Sequence, residues 1–254
     1  MKITRAVVPS LFTTLNIFCG FLSIVNAHQG QIELAAWFII LAAIFDSLDG
    51  VMARITRSSS QFGVELDSLA DVVSFGAAPS FLVYQIYLNT LGSWGILLSS
   101  MPLIFGAIRL ARFNVQLVGF DKSHFSGLPI PAQAIAICAF VLQNYTIGFG
   151  LSGLPRELLA PLVAVLSLLM VSRVKYDTLP KFSRKDLRSH PWKAVGFVLG
   201  GLIVIFSKGE YLFAVLAAFI VVGILRSGYQ WIRGYSGNAD KDPEDETEVS
   251  RIDI

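Results

Sequence analysis

The chain has 254 residues, 54% of them apolar and only 15% charged, and its mean hydropathy is +0.63. Ordinary soluble domains carry about 25% charged residues, so this composition excludes a soluble globular protein and describes an all-α integral membrane protein. The formal net charge of +2 hides an acidic tail attached to a body of 18 basic and 11 acidic residues, which suits anionic lipid headgroups and gives no sign of nucleic-acid binding.

Apolar runs of roughly 18 to 25 residues cross a bilayer as helices. In chain order they fall at Ala6 to Ala27, Leu34 to Ala53, Val64 to Leu88, Trp94 to Leu110, Pro129 to Phe149, Leu158 to Ser172, Trp192 to Phe206 and Tyr211 to Ile232, which predicts about eight transmembrane helices. The first run follows Lys2 and Arg5 and ends near Val25-Asn26-Ala27, loosely like a cleavage site. It is longer than a signal-peptide core of roughly 7 to 15 residues, so it is expected to stay as a span. Cys19 and Cys138 fall inside spans and read as buried thiols with no disulfide.

Threading the spans through a bilayer collects 18 Lys and Arg residues on one side, with only Arg156 and Lys208 on the other. By the positive-inside rule both termini and the loop between the second and third helices face the cytosol, as in a multi-pass protein of the cytoplasmic (inner) membrane. Residues 1–172 are expected to form a membrane core and 173–235 a basic cytosolic connection with two further helices. From Ser236 the chain reads as a disordered acidic tail, 236–254.

Four acids stand out: Asp46 and Asp49 on the second predicted helix, Asp67 and Asp71 on the third. A central aspartate costs about 2.5 to 3.5 kcal/mol on insertion scales, so a cluster within two spans marks function. At 100° per residue Asp46, Asp49, Gly50 and Ala53 share one helix face, and Gly63, Asp67, Asp71 and Ser74 share another. Asp46 precedes Arg54 by eight residues and Asp71 follows Gly63 by eight, which puts both pairs roughly 12 Å below the cytosolic helix ends. Four anions at one depth call for protonation, basic partners or divalent cations, and within the spans only Arg54 is at hand. Hard oxygen ligands in this number suit Mg²⁺ or Mn²⁺, two of which balance four carboxylates.

The spacing Asp-x2-Asp-Gly-x2-Ala-Arg-x8-Gly-x3-Asp-x3-Asp, complete from Asp46 to Asp71, resembles the signature of the CDP-alcohol phosphotransferases. That resemblance implies a six-helix catalytic core followed here by two C-terminal helices, and a homodimer. It implies transfer of a substituted phosphate from a CDP-linked donor to an alcohol, releasing CMP without a covalent enzyme intermediate. Carried over by position, Asp46, Asp49, Asp67 and Asp71 hold the metals, Asp71 also acts as general base, and Gly50, Ala53, Arg54 and Gly63 contact the CDP moiety.

Three later segments, Asp67 to Pro79, Arg109-Leu110-Ala111-Arg112-Phe113-Asn114 and Gly127-Leu128-Pro129-Ile130-Pro131-Ala132, look like the phosphatidylserine synthase branch, as do Asn16, a further CDP contact, and Gly20. That branch implies CDP-diacylglycerol and L-serine as substrates among membrane lipids. Arg109 and Arg112 suit a bidentate grip on the serine carboxylate, but equally fit ordinary positive-inside flanking. Asn114, Lys122 and Ser126 are further acceptor-pocket candidates, whereas His124 reads as an interfacial loop residue. Two alternatives remain: the same chemistry on a phosphorylated polyol or with an archaeal ether-lipid donor, and a cation or proton transporter using the intramembrane acids.

Overall fold

A computed structural model describes residues 7–56, 61–118, 127–172, 174 and 211–239. Among them it is helical throughout except for turns and one isolated bridge between Thr146 and Gly150. Helices α1 (Val7–His28) and α2 (Ile32–Thr56) form an antiparallel hairpin. Its turn needs Gly30, whose φ of +78° a residue with a Cβ adopts only at a cost. Ala27, Ala35, Ala36, Ala42 and Ala43 are buried, and such small side chains let membrane helices approach closely where no hydrophobic force drives them together.

The next span is a single apolar rod of 26 residues, Gln61 to Ile86, built from three pieces. They are α3 (Gln61–Asp71), a π-helical segment (Val72–Ala77) and α4 (Ala78–Ile86). Pro79 explains the middle piece. Its ring lacks an N–H and would meet the carbonyl four residues earlier, and widening the preceding turn, with the Ala78 N–H bonded to the Val73 carbonyl, relieves that conflict.

A short 3-10 turn, Leu88–Leu91, leads into α5 (Ser93–Val118), followed by α6 (Ile130–Asn144), α7 (Gly153–Val171) and α8 (Leu212–Ala239). Packing runs α1 to α2, α2 to α6, α6 to α7, α7 to α5, α5 to α4 and α4 back to α1, which closes a ring. Helix α8 docks on α6, with the Phe213 ring edge-on to Phe140 at 5.2 Å. Phe18, Phe21, Trp37, Leu97 and Leu168 are exposed, as expected of a body whose surroundings are hydrocarbon.

Among the described residues six helices are long and apolar enough to span a membrane, and α6, at 15 residues, is shorter. The expected helix at Trp192 to Phe206 lies outside the described residues, as does the basic connection apart from Val174, so the count of eight is not reached here. Four expected ends move by five residues or more. The last predicted helix runs to Ala239 instead of Ile232, into the stretch expected to be a disordered tail from Ser236. The fifth predicted helix stops at Asn144 instead of Phe149, because Tyr145 turns extended and Gly148 and Gly150 take φ of +84° and +69°. The sixth begins at Gly153, not Leu158. The fourth continues from Leu110 to Val118, since hydrophobicity marks where lipid ends and says nothing of where backbone hydrogen bonding ends.

Inside α5, Pro102 interrupts the ladder, and the Leu103 N–H donates to the Ser80 hydroxyl on α4 at 3.2 Å. Ser80→Ala leaves that amide short of a partner in a part-buried place. We expect a loss of about 1 to 2 kcal/mol, read as a lower thermal midpoint in detergent with the Michaelis constants unchanged.

Candidate active site

The last turns of α2 carry Asp46 and Asp49, and α3 carries Asp67 and ends on Asp71. Asp46, Asp67 and Asp71, all half-buried, each offer one carboxylate oxygen, and the three oxygens lie within 4.8 Å of one another. The Asp46 and Asp71 carboxyl groups are within hydrogen-bonding reach, an arrangement that needs a proton or a cation between them. Asp71 Oδ1 is buried with no hydrogen-bond partner among the described residues. A hard divalent cation meets both demands, so this donor set fits a metal ion.

Asp49 stands slightly apart from this trio. It is 7% exposed and accepts a hydrogen bond from the Thr13 hydroxyl of α1, while its charge still bears on Asp46 and Asp67. Of the four carboxylates expected at one depth, three therefore converge and the fourth is held by α1. Thr13 was invisible in sequence, because a threonine in an apolar helix ordinarily bonds its own backbone. Thr13→Val keeps the shape and removes the donor. We expect about a tenfold to hundredfold rise in the divalent-cation concentration needed for half-maximal activity, measured by metal titration, the usual cost of losing a group that orients a ligand.

Helix α1 also fixes the segment beyond Asp71. Ser74 is fully buried and donates to the Asn16 carbonyl at 2.8 Å. At Gly20 a Cβ would come within 2.7 Å of Ser74 Cα, so only glycine allows this approach. The Asn16 carboxamide is fully buried one turn away, with neither polar atom partnered among the described residues.

Because α5 is longer than expected, Arg109 lies inside the bundle and not at its rim. It is 9% exposed and interacts electrostatically with Asp71. Arg109 is thus a base at hand that the sequence reading did not count; the side chains of Ala53 and Arg54 lie outside the described residues, although both belong to α2. Arg112 is exposed, and its Nη1 donates to the Val171 carbonyl at 3.3 Å, tying α5 to the end of α7. Asn114 Nδ2 donates to the Ser68 hydroxyl at 3.0 Å, tying α5 to α3 beside Asp67. Lys122, His124 and Ser126 lie outside the described residues. Gly63 is half-buried near the start of α3, and among the described residues a Cβ at Gly50 would meet nothing within 4 Å, so no described helix packs over that glycine.

An all-helical membrane body with converging carboxylates on two spans, flanked by a buried arginine, has the form of a membrane-embedded enzyme whose acid cluster is compatible with metal binding. The family profile for CDP-alcohol phosphatidyltransferase matches residues 6–174, and the chain belongs to that family. It is 37% identical over 221 residues to the CDP-diacylglycerol--serine O-phosphatidyltransferase of Helicobacter pylori strain ATCC 700392 / 26695, covering 86% of this chain and 90% of that one. Identity to the Bacillus subtilis protein of the same name is 34%, over 73% of this chain and 98% of the relative. It is 39% to archaetidylserine synthase of Methanothermobacter thermautotrophicus, over 69% and 72%. The fold resembles a crystal structure of Mycobacterium tuberculosis phosphatidylinositol phosphate synthase with CDP-DAG bound, at a TM-score of 0.52 and 20% identity over 66% of this chain and 83% of that one.

Proposed function

We propose that this enzyme is a CDP-diacylglycerol:serine phosphatidyltransferase, making phosphatidylserine and CMP at the cytosolic face of the inner membrane as a homodimer. The observation that carries the reading is the carboxylate trio with the unpartnered Asp71 Oδ1 next to buried Arg109. A base and a fixed cation side by side suit an acceptor that carries both a hydroxyl and a carboxylate.

Asp46, Asp49, Asp67 and Asp71 would hold two ions, Mg²⁺ or Mn²⁺, which would neutralise the diphosphate and the charge on departing CMP. Asn16, Gly50, Ala53, Arg54 and Gly63 contact the CDP part, and no described helix packs over Gly50, which supports that role. Asp71 takes the serine hydroxyl proton as the serine oxygen bonds to the phosphorus bearing diacylglycerol. The bond from that phosphorus to the bridging oxygen breaks, and the electron pair leaves with CMP. Arg109 grips the serine carboxylate and holds the hydroxyl in line. Lys122 and Ser126 add contacts to the acceptor, whereas Arg112 and Asn114 act chiefly as ties between helices. Residues 1–172 form the catalytic body, with the basic connection and last helices, 173–235, and the acidic tail, 236–254, appended to it.

The test is CMP release by purified protein given CDP-diacylglycerol, divalent cation and a panel of alcohols. Serine-dependent release with formation of phosphatidylserine is the expected result; release only with glycerol phosphate or an inositol phosphate would sink serine as acceptor and spare the family chemistry. Similarity to an archaetidylserine synthase favours adding an ether-linked donor to the panel.

A further inference from the structure

Two fully buried polar side chains have no role in the chemistry above: Gln133 on α6 and Ser167 on α7. Gln133 Oε1 and Nε2 and Ser167 Oγ all lack hydrogen-bond partners among the described residues. A buried amide or hydroxyl left unpaired costs roughly 1 to 3 kcal/mol, and native interiors keep few of them. Two on neighbouring helices point to a partner that arrives from outside.

Their position follows from the contacts around them. On α5, Gly106 faces α6, where a Cβ would lie 3.6 Å from the Ile130 side chain, and Arg112 faces α7 through the Val171 carbonyl. At 100° per residue Arg109 falls midway between Gly106 and Arg112, so it enters the wedge between α6 and α7. Gln133 follows Ile130 by three residues, and Ser167 precedes Val171 by four, as Arg109 precedes Arg112 by three. Ser167 and Arg109 thus lie at nearly the same depth, and the Gln133 backbone lies about 9 Å deeper than that of Arg109.

Side chains lean toward the N-terminus of their own helix. Helices α5 and α6 run antiparallel and meet where Gly106 faces Ile130, so Arg109 leans down and Gln133 leans up toward the same level, which Ser167 flanks from α7. The α6 end of this wedge is pinned, because the Leu128 N–H donates to the Leu169 carbonyl at 3.0 Å and Gly127, at φ +96°, sits against the Met170 carbonyl.

We propose that Gln133 and Ser167 line the acceptor pocket beside Arg109 and hydrogen-bond the ammonium and carboxylate of the amino-acid acceptor. The proposal rests on the phosphatidyltransferase reading above. An acceptor with charges at both ends satisfies donor and acceptor atoms of Gln133 together, and Arg109 supplies the charge that holds it next to Asp71.

The test compares wild type, Gln133→Met and Ser167→Ala as full-length protein in CDP-diacylglycerol-containing micelles. For each, KM is measured for the acceptor and for the donor, together with the thermal midpoint with and without acceptor. Both variants are expected to raise the acceptor KM about tenfold or more, with the donor KM within about twofold. Without acceptor their midpoints are expected to equal or exceed that of wild type, because an unpaired polar group has been replaced by an apolar one. The rise in midpoint that serine gives the wild type should be lost. An unchanged acceptor KM overturns the proposal. So does a parallel rise in both KM values, or a lowered midpoint without acceptor, which would reveal an internal structural partner. Ser167→Ala is nearly isosteric and keeps the test alive if Gln133→Met folds poorly. Should the wild type use another alcohol but not serine, the serine reading falls and this proposal with it, whereas an unchanged serine KM in the variants of a serine-using enzyme overturns the proposal alone.

Discussion

Asp71→Asn is expected to lower serine-dependent CMP release by about two to four orders of magnitude, the range contributed by a positioned general base. The change is isosteric and keeps an oxygen available to Asp46, so the packing of α3 against α1 should survive. What disappears is the carboxylate able to accept the hydroxyl proton at the buried, unpartnered Oδ1. Binding should separate the roles: a variant that retains CDP-diacylglycerol affinity with kcat collapsed fits a base, and near-normal turnover would refute that role. Loss of donor binding alongside kcat would instead make Asp71 mainly a ligand.

Chelation of divalent cations should silence the wild type completely, and added Mg²⁺ or Mn²⁺ should restore it. Asp46→Asn makes the same point from the protein side. Three carboxylate oxygens within 4.8 Å repel one another when ionised, by about 3.5 kcal/mol or more per pair at an effective dielectric near 20. Removing one charge should therefore raise the thermal midpoint in chelator while abolishing most activity, and should shrink the stabilisation that metal gives. A variant less stable than wild type in chelator, with the response to metal intact, would mean that the acids are held by something other than a cation.

Much of the site was legible because membranes make acids conspicuous. Asp46, Asp67 and Asp71 could be placed together from helical spacing, since two antiparallel helices joined by a short loop must be neighbours. Membership of the family followed from eight fixed residues between Asp46 and Asp71. Less legible were the groups that hold the acids. Thr13 and Ser74 are ordinary in composition, and their partners, Asp49 and the Asn16 backbone, are 36 and 58 residues away. Pro79 was a usable signal for the π-helical turn, because a proline in a span must disturb the turn before it. The length of α5 was misread because Arg109, Arg112 and Asn114 ended the apolar run without ending the helix.

By itself the sequence determined the membrane class, the family, the sidedness expected of the basic loops and the identities of the carboxylates. These depend on composition and on spacing along single helices, where one residue advances 1.5 Å and 100°. Tertiary structure decided what each acid meets, Asp49 by Thr13 and Asp71 by Arg109, and it buries Gln133 and Ser167 without hydrogen-bond partners among the described residues. Such pairings depend on how helices distant in sequence rotate and slide against one another, which no local period encodes.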